Sequence, residues 1–197
     1  MIYIARHGQT EWNLERRLQG QLDAPLNDTG RKEAVACAKQ LTSAKIGKII
    51  SSDLSRAKET ADIINKSLSL PITLDSRLKE LNCGDLQGNI ITEVPWHTFI
   101  HDPNHFHSEP LADFYSRLKS FFNELDATKN TLIVTHTGVV KMIMHLAQNP
   151  DSYNQEDFEN TALQFKVKNG DIFTWDKGQM LQLLTKDPLK KSDSLEY

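Results

Sequence analysis

The stretch TLIVTHTGVVKMIMHLAQ, residues 131–148, changes its periodicity midway. Thr131 to Thr135 is a continuous apolar and β-branched run, the mark of a strand buried on both faces. Beyond it the apolar residues recur at helical spacing, which predicts a helix over 137–148. His136 stands between the two. A strand passing directly into a helix is half of a βαβ unit, and open α/β sheets bind ligands outside the carboxyl ends of their strands. The first N–H groups of such a helix are orphan donors at the positive end of its dipole, so Thr137 and Gly138 lie where an anion is favoured.

The same build recurs at the start of the chain. The apolar run Met1 to Ala5 ends in Arg6-His7-Gly8, which again puts a histidine at a strand end. Arg6 offers a planar fork of donors suited to phosphate or carboxylate, and Gly8, lacking a Cβ, lets the backbone turn sharply and approach a bound group. A third unit follows Lys48 to Ser52, where Arg56 falls in the first turn of a helix with Ala57, Ala61, Ile64 and Leu68 on its apolar face. Three strand ends thus deliver two histidines and two arginines. Taken alone, Arg56 has a plainer reading as an ion pair with Glu59 or Glu80, since most exposed arginines only make such pairs.

The rest of the chain alternates short apolar strands with amphipathic helices. Strands are predicted at 1–5, 46–51, 71–75, 131–135 and, as a hairpin across Asn169-Gly170, at 162–168 and 171–175. Helices are predicted near 28–44, 54–68, 109–126 and 137–148; the third is the clearest, with Leu111, Phe114, Tyr115, Leu118, Phe121, Phe122 and Leu125 at spacings of three and four. The expected fold is a three-layer α/β/α sandwich with a mostly parallel sheet and an antiparallel edge strand. Residues 1–185 read as a single domain, with a cap segment near 82–110 arching over the site and a polar tail at 186–197. That segment carries four histidines without clear periodicity, and His101, His105 and His107 with Asp102 have a spacing that permits zinc or copper.

Composition sets outer limits. The 197 residues are 39% hydrophobic and 25% charged, enough for one large core. A net charge of −3 and a pI near 6.2 give no electrostatic reason to expect nucleic acid or an acidic membrane as partner. Cys37 and Cys83 have no CxxC spacing, which points to a reduced, cytoplasmic setting. No apolar stretch reads as a signal peptide or membrane span. Ser51 and Ser52 lack a GxSxG elbow, and Gly47-Lys48 lacks the upstream glycine of a phosphate-binding loop, so neither motif chemistry is expected.

Five separated motifs carry a resemblance: RHGQTEWN at 6–13 with Gln19-Gly20, SDLSRAKETA at 52–61, LKELNCGDLQG at 78–88 and IVTHTG at 133–138. In this order they resemble the signatures of the histidine phosphatase superfamily, the phosphoglycerate mutase-like group. The resemblance implies metal-independent phosphoryl transfer without a cofactor. His7 would be the nucleophile that forms a phosphohistidine, and Arg6, Arg56 and His136 would hold the phosphoryl oxygens. Asn13 would add a donor, Gln19 and Gly20 would close the pocket with Gly8 and Thr137, and Glu80 would protonate the leaving oxygen. The residues themselves agree: adjacent cations keep an imidazole neutral, and Glu80 lies between apolar neighbours where desolvation favours a protonated carboxyl. Asp85 is the rival acid.

Family mutases carry an ERHYG-like stretch after the acid and a longer insert. Here Leu81-Asn82-Cys83-Gly84 follows Glu80, which favours hydrolysis. Within the phosphatases the chain is most similar to the α-ribazole-5'-phosphate branch of cobalamin biosynthesis. It departs from that branch at Cys83, at Ser108-Glu109-Pro110 and at Thr137-Gly138. The partner expected is a small phosphorylated metabolite, and the sequence leaves open whether two chains associate as a homodimer. The alternatives are a phosphoglycerate mutase, a broad-specificity sugar or acid phosphatase, or a protein that binds a phosphorylated ligand without turnover.

Overall fold

The computed structural model describes residues 1–126, 128–176 and 179–183; the expected tail at 186–197 lies outside the described residues. The strands are β1 (Ile2–Arg6), β2 (Lys48–Ser51), β3 (Ile72–Leu74), β4 (Thr131–Thr135), β5 (Ile172–Asp176) and β6 (Gln179–Leu183). They form one six-stranded sheet in the order β3-β2-β4-β1-β5-β6. Pairing is parallel from β3 through β1, and β5 joins β1 antiparallel, with β6 antiparallel beyond it. The helices are α1 (Glu11–Leu14), α2 (Asp28–Gln40), α3 (Ser55–Asn65), α4 (Trp96–His101), α5 (Leu111–Glu124) and α6 (Thr137–Gln148), followed by one short turn at Gln155–Asp157.

Successive strand residues point to opposite faces, and both faces are buried. Ile4, Ile50, Ile133 and Phe173 pack against α5 and α6 with Phe114, Leu118, Phe121, Val140 and Ile143. Their neighbours Ala5, Ile49, Leu132, Val134 and Ile172 pack on the other side against Cys37, Leu41, Ala57, Ala61 and Ile64 of the α2–α3 layer. This is the three-layer α/β/α arrangement. Each fully buried Ile, Leu or Phe in these layers contributes about 1.5–3 kcal/mol.

Two elements depart from the sequence reading. Residues 162–168 are no strand: a π-helical turn occupies Phe158–Ala162, and irregular chain follows. The alternation of Phe165, Val167 and their polar neighbours mimics a strand. Phe158 and Ala162, however, bury at helical spacing in the α6 layer, and the Val167 carbonyl accepts from Arg6 Nη1 (2.7 Å) instead of from a neighbouring strand. Asn169-Gly170 is a turn, with Gly170 at φ +70°, but it leads into β5 from irregular chain; the hairpin partner of β5 is β6.

The 82–108 segment is a series of 3-10 turns around α4 with a small core of its own, Cys83, Leu86, Val94 and Phe99 packed with Leu18 and Leu81. It is stitched to the 16–21 loop by Leu18 N to Asn89 O (2.9 Å), Gly88 N to Leu18 O (2.8 Å) and Gln21 N to Gln87 Oε1 (2.6 Å).

Candidate active site

Register brings the strand ends together. In the β1–β4 pair Arg6 faces Thr135, so the next residues, His7 and His136, emerge side by side; their ring centroids are 5.2 Å apart. β2 lies on the other side of β4, with Ser51 opposite Val134, so Ser52 and the start of α3 reach the same end of the sheet. Arg56 enters from that helix. Both imidazoles are buried, and Arg56 is 1% exposed.

His7 is fixed by backbone. Its N–H donates to Thr135 O (2.9 Å), and its Nδ1 lies 2.7 Å from Gly8 O. A carbonyl oxygen only accepts, so Nδ1 carries the proton and Nε2 keeps its lone pair. Burial pushes the His7 pKa well below its usual range, and the Arg56 and Arg6 guanidiniums push it the same way. Gly8 is needed for a close approach: a Cβ there would sit 2.3 Å from Gly30 O, and one on Gly30 would sit 2.1 Å from Gln9 O. Gly8 N also donates to Thr60 Oγ1 on α3 (3.1 Å). The α2 residue Gly30 was invisible in the sequence, since its requirement arises only when α2 meets the loop after β1.

The two arginines are held by carbonyls. Arg56 Nη2 donates to Gly20 O (2.7 Å) and Nη1 to Leu22 O (2.9 Å), while Arg6 Nη1 takes Val167 O. Neither forms an ion pair among the described residues. The plainer reading of Arg56 fails because Glu59 pairs with Arg31 instead (2.7 Å). Burial pushes Arg56 down to about 10 and lowers Arg6 as well, with Glu80 opposing both shifts. Arg6 Nε, Arg56 Nε, His136 Nδ1 and Gln19 Oε1 are buried without a hydrogen-bond partner among the described residues. Buried donors are rarely left so, and three of them at one group of strand ends make a ready anion site.

Gly20 has φ +52°, a left-handed conformation that glycine adopts without strain, and a Cβ there would meet Gln87 Oε1 at 2.2 Å. Asn13 closes a capping box on α1 with Thr10. Its Oδ1 accepts from Thr10 N (3.0 Å) and Asn169 Nδ2 (3.2 Å), which leaves the amide nitrogen as its outward donor. Thr137 is the first residue of α6.

Glu80 is half-buried at the α6 N-terminus. Oε2 accepts from Gly138 N (3.0 Å) and Oε1 from Leu81 N (2.9 Å). A Cβ on Gly138 would lie 2.3 Å from Oε1, so Glu80 occupies its place because residue 138 has no side chain. The Glu80 carbonyl is clamped by Gln21 Nε2 (3.0 Å) and Arg117 Nη2 (3.1 Å), and Arg117 is paired in turn with Glu109 (2.6 Å). Thr135 Oγ1 donates to Leu78 O (2.8 Å), tying the segment to the end of β4. Asp85, the rival acid, is exposed and pairs with His107 (2.7 Å). Of the other cap histidines, His97 and His101 lie ring against ring with centroids 4.4 Å apart, His101 also contacts Gln155 and Glu159, and His105 stacks edge-on with Phe106. Among the described residues no group of three His, Cys, Asp or Glu side chains is arranged to hold a metal ion, and no helix is long and apolar enough to cross a membrane.

The sequence reading also passed over Lys141, one turn into α6. It is held by Leu163 O (2.6 Å), and burial lowers its pKa against the opposing charge of Glu80.

Neutral burial of two histidines has a thermodynamic signature. The folded pKa values of His7 and His136 both lie well below 6.5, whereas an unfolded imidazole takes its proton at about 6.5. Above that pH neither state binds the proton, and these groups add no pH dependence. Below it the unfolded state binds more protons, so stability should fall as the pH drops. Urea midpoints at pH 7.5 and 5.5 check this: a lower midpoint at pH 5.5, with part of the difference removed in His7→Ala, is expected, and a wild-type midpoint unchanged between the two pH values would contradict it.

Over residues 2–174 the chain matches the family described as the histidine phosphatase superfamily, branch 1. A probable phosphoglycerate mutase of Salmonella choleraesuis is 49% identical over 86 residues, which are 44% of this chain and 40% of that protein. The chain thus spans less than half the length of the curated relatives it matches. Among solved structures, a mycobacterial glucosyl-3-phosphoglycerate phosphatase in complex with VO3 superposes with a TM-score of 0.74 at 26% identity, covering 87% of this chain and 90% of that one. A phosphoglycerate mutase from Thermus thermophilus superposes with a TM-score of 0.72 at 26% identity, covering 94% and 99%.

Proposed function

The chain belongs to the histidine phosphatase superfamily, branch 1, and from that premise we propose that it is a phosphomonoester hydrolase working through a phosphohistidine on His7. Members of the superfamily are phosphatases or mutases, and they act on small phosphorylated substrates. One observation carries the reading furthest: a buried, neutral imidazole, anchored at Nδ1 by Gly8 O, lies beside two guanidiniums that have no carboxylate ion-pair partner among the described residues.

In this reading His7 Nε2 attacks phosphorus and the ester P–O bond breaks. The leaving oxygen takes a proton from the Glu80 carboxyl. Arg6, Arg56 and His136 hold the equatorial oxygens, with Asn13 as a further donor. Gln19, Gly20 and Thr137 line the pocket beside Gly8. The Glu80 carboxylate then accepts a proton from water, whose oxygen attacks phosphorus as the P–N bond breaks, releasing inorganic phosphate. Hydrolysis is favoured over mutase action by the Leu81-Asn82-Cys83-Gly84 run after the acid. For the substrate we put α-ribazole-5'-phosphate first on the motif resemblance, with 3-phosphoglycerate and sugar phosphates as the alternatives; release of phosphate from a panel of the three separates them.

Glu80 is needed only as far as the leaving group wants a proton. Glu80→Gln should therefore slow single-turnover phosphorylation by about 10²–10⁴-fold with an alkyl phosphate and far less with p-nitrophenyl phosphate. Gly138→Ala should show the same asymmetry, because its methyl group would displace the carboxylate. Equal losses on the two substrates would move the acid role away from Glu80. Because side-chain cations supply the charge compensation, turnover should also survive exhaustive EDTA. Loss on chelation that zinc or magnesium restores would refute metal independence.

A further inference from the structure

Ser52 directly follows β2, is fully buried, and places Oγ 2.8 Å from Nε2 of the equally buried His136. The contact could run in either direction, and counting hydrogen bonds decides between them. Ser52 Oγ already accepts from Leu54 N (3.3 Å), and His136 Nδ1 has no partner among the described residues whichever tautomer is present. If Nε2 were the donor, the serine hydroxyl proton would have no acceptor among the described residues, leaving two unsatisfied polar groups in a closed site. If the hydroxyl donates to Nε2, only Nδ1–H is left over. A phosphoryl oxygen only accepts, so that N–H is the group such a ligand satisfies.

We propose that Ser52 is a positioning residue that sets the tautomer of His136, holding it as a neutral imidazole that donates from Nδ1 to the transferring phosphoryl group. The proposal rests on the phosphoryl-transfer reading of the site. It assigns His136 the work of a hydrogen-bond donor and leaves the cationic work to Arg6 and Arg56. The surroundings agree: burial above all, and then Arg56, His7, Arg6 and Arg117, disfavour a proton on both nitrogens of His136. Its backbone is fixed as well, since His136 is the N-cap of α6 and its carbonyl accepts from Val140 N (3.0 Å). Both imidazoles then carry their proton on Nδ1, for opposite purposes. His7 turns its N–H into the protein and presents a lone pair; His136 turns its lone pair into the protein and presents an N–H.

The test is the long-range proton–nitrogen correlation spectrum of ¹⁵N-labelled protein at neutral pH, with the His136 signals assigned by their loss in His136→Gln. A protonated, pyrrole-type Nδ1 and an unprotonated, pyridine-type Nε2 are expected. In Ser52→Ala the His136 signals should move to a mixture of tautomers. Single-turnover phosphorylation should fall at least about tenfold, and equally with alkyl phosphate and p-nitrophenyl phosphate, unlike the Glu80 variants. Ser52→Thr, which keeps the hydroxyl, should restore both the spectrum and the rate. An Nε2-protonated or doubly protonated His136 in the wild type would overturn the proposal, as would an unchanged rate in Ser52→Ala. Failure of the wild type to accept phosphate from any phosphomonoester would instead refute the hydrolase reading, and the spectrum would still decide the tautomer.

Discussion

Replacing His7 by alanine should lower turnover by roughly 10⁴-fold or more, a loss of the size seen when a nucleophile is removed from a site that otherwise stays intact. The fold should survive. The imidazole makes one side-chain hydrogen bond, to the carbonyl of the next residue, and the backbone contacts of residue 7 to Thr135 and Gly170 do not depend on the side chain. Removing a buried imidazole also lifts the acid-side destabilisation described above. The variant should therefore show an unchanged circular dichroism spectrum and retain phosphate binding through Arg6, Arg56 and His136. Near-normal turnover in a folded His7→Ala protein would end the covalent mechanism through His7.

Arg56→Ala should slow phosphorylation by about 10²–10³-fold with alkyl phosphate and p-nitrophenyl phosphate alike, because the interaction lost is with the transferring group itself. Arg56→Lys should recover little. One N–H of each Nη is committed to Leu22 O and Gly20 O, which leaves the second N–H of each and the unpartnered Nε–H in a fixed planar fork; a single ammonium cannot hold two carbonyls and also present donors in that geometry. Rapid-quench rates for both substrates check this. A loss confined to the alkyl phosphate would mean that Arg56 serves the leaving group, and the division of labour with Glu80 would be wrong.

The layers of the fold were legible because both faces of the sheet are buried and the helices are amphipathic. β1, β4 and α6 lie within a residue of the ranges that the period of the sequence predicts. Residues 162–168 do not form the predicted strand because alternation at Phe165 and Val167 also arises in irregular chain; the helical burial of Phe158 and Ala162 and the path of the Arg6 side chain to Val167 O distinguish the cases. The histidines and arginines could be found from motifs, since each ends a strand or starts a helix. What supports them could not. Gly30 matters because α2 approaches Gln9, Gly138 because Glu80 arrives from a distant segment, and Arg117 because it clamps a carbonyl that is not near it in sequence. Ser52 had a signal available: it follows β2, which pairs with β4, and His136 follows β4.

The central claim is that phosphate passes through a bond to His7. Wild-type protein mixed with ³²P-labelled phosphomonoester and quenched in base within the first turnover should carry label that is stable to base and labile to acid. Peptide mapping should place that label on the peptide containing His7, and His7→Ala should carry none. Rapid substrate hydrolysis with no protein-bound label in the wild type, or with label on a peptide lacking His7, would contradict the account.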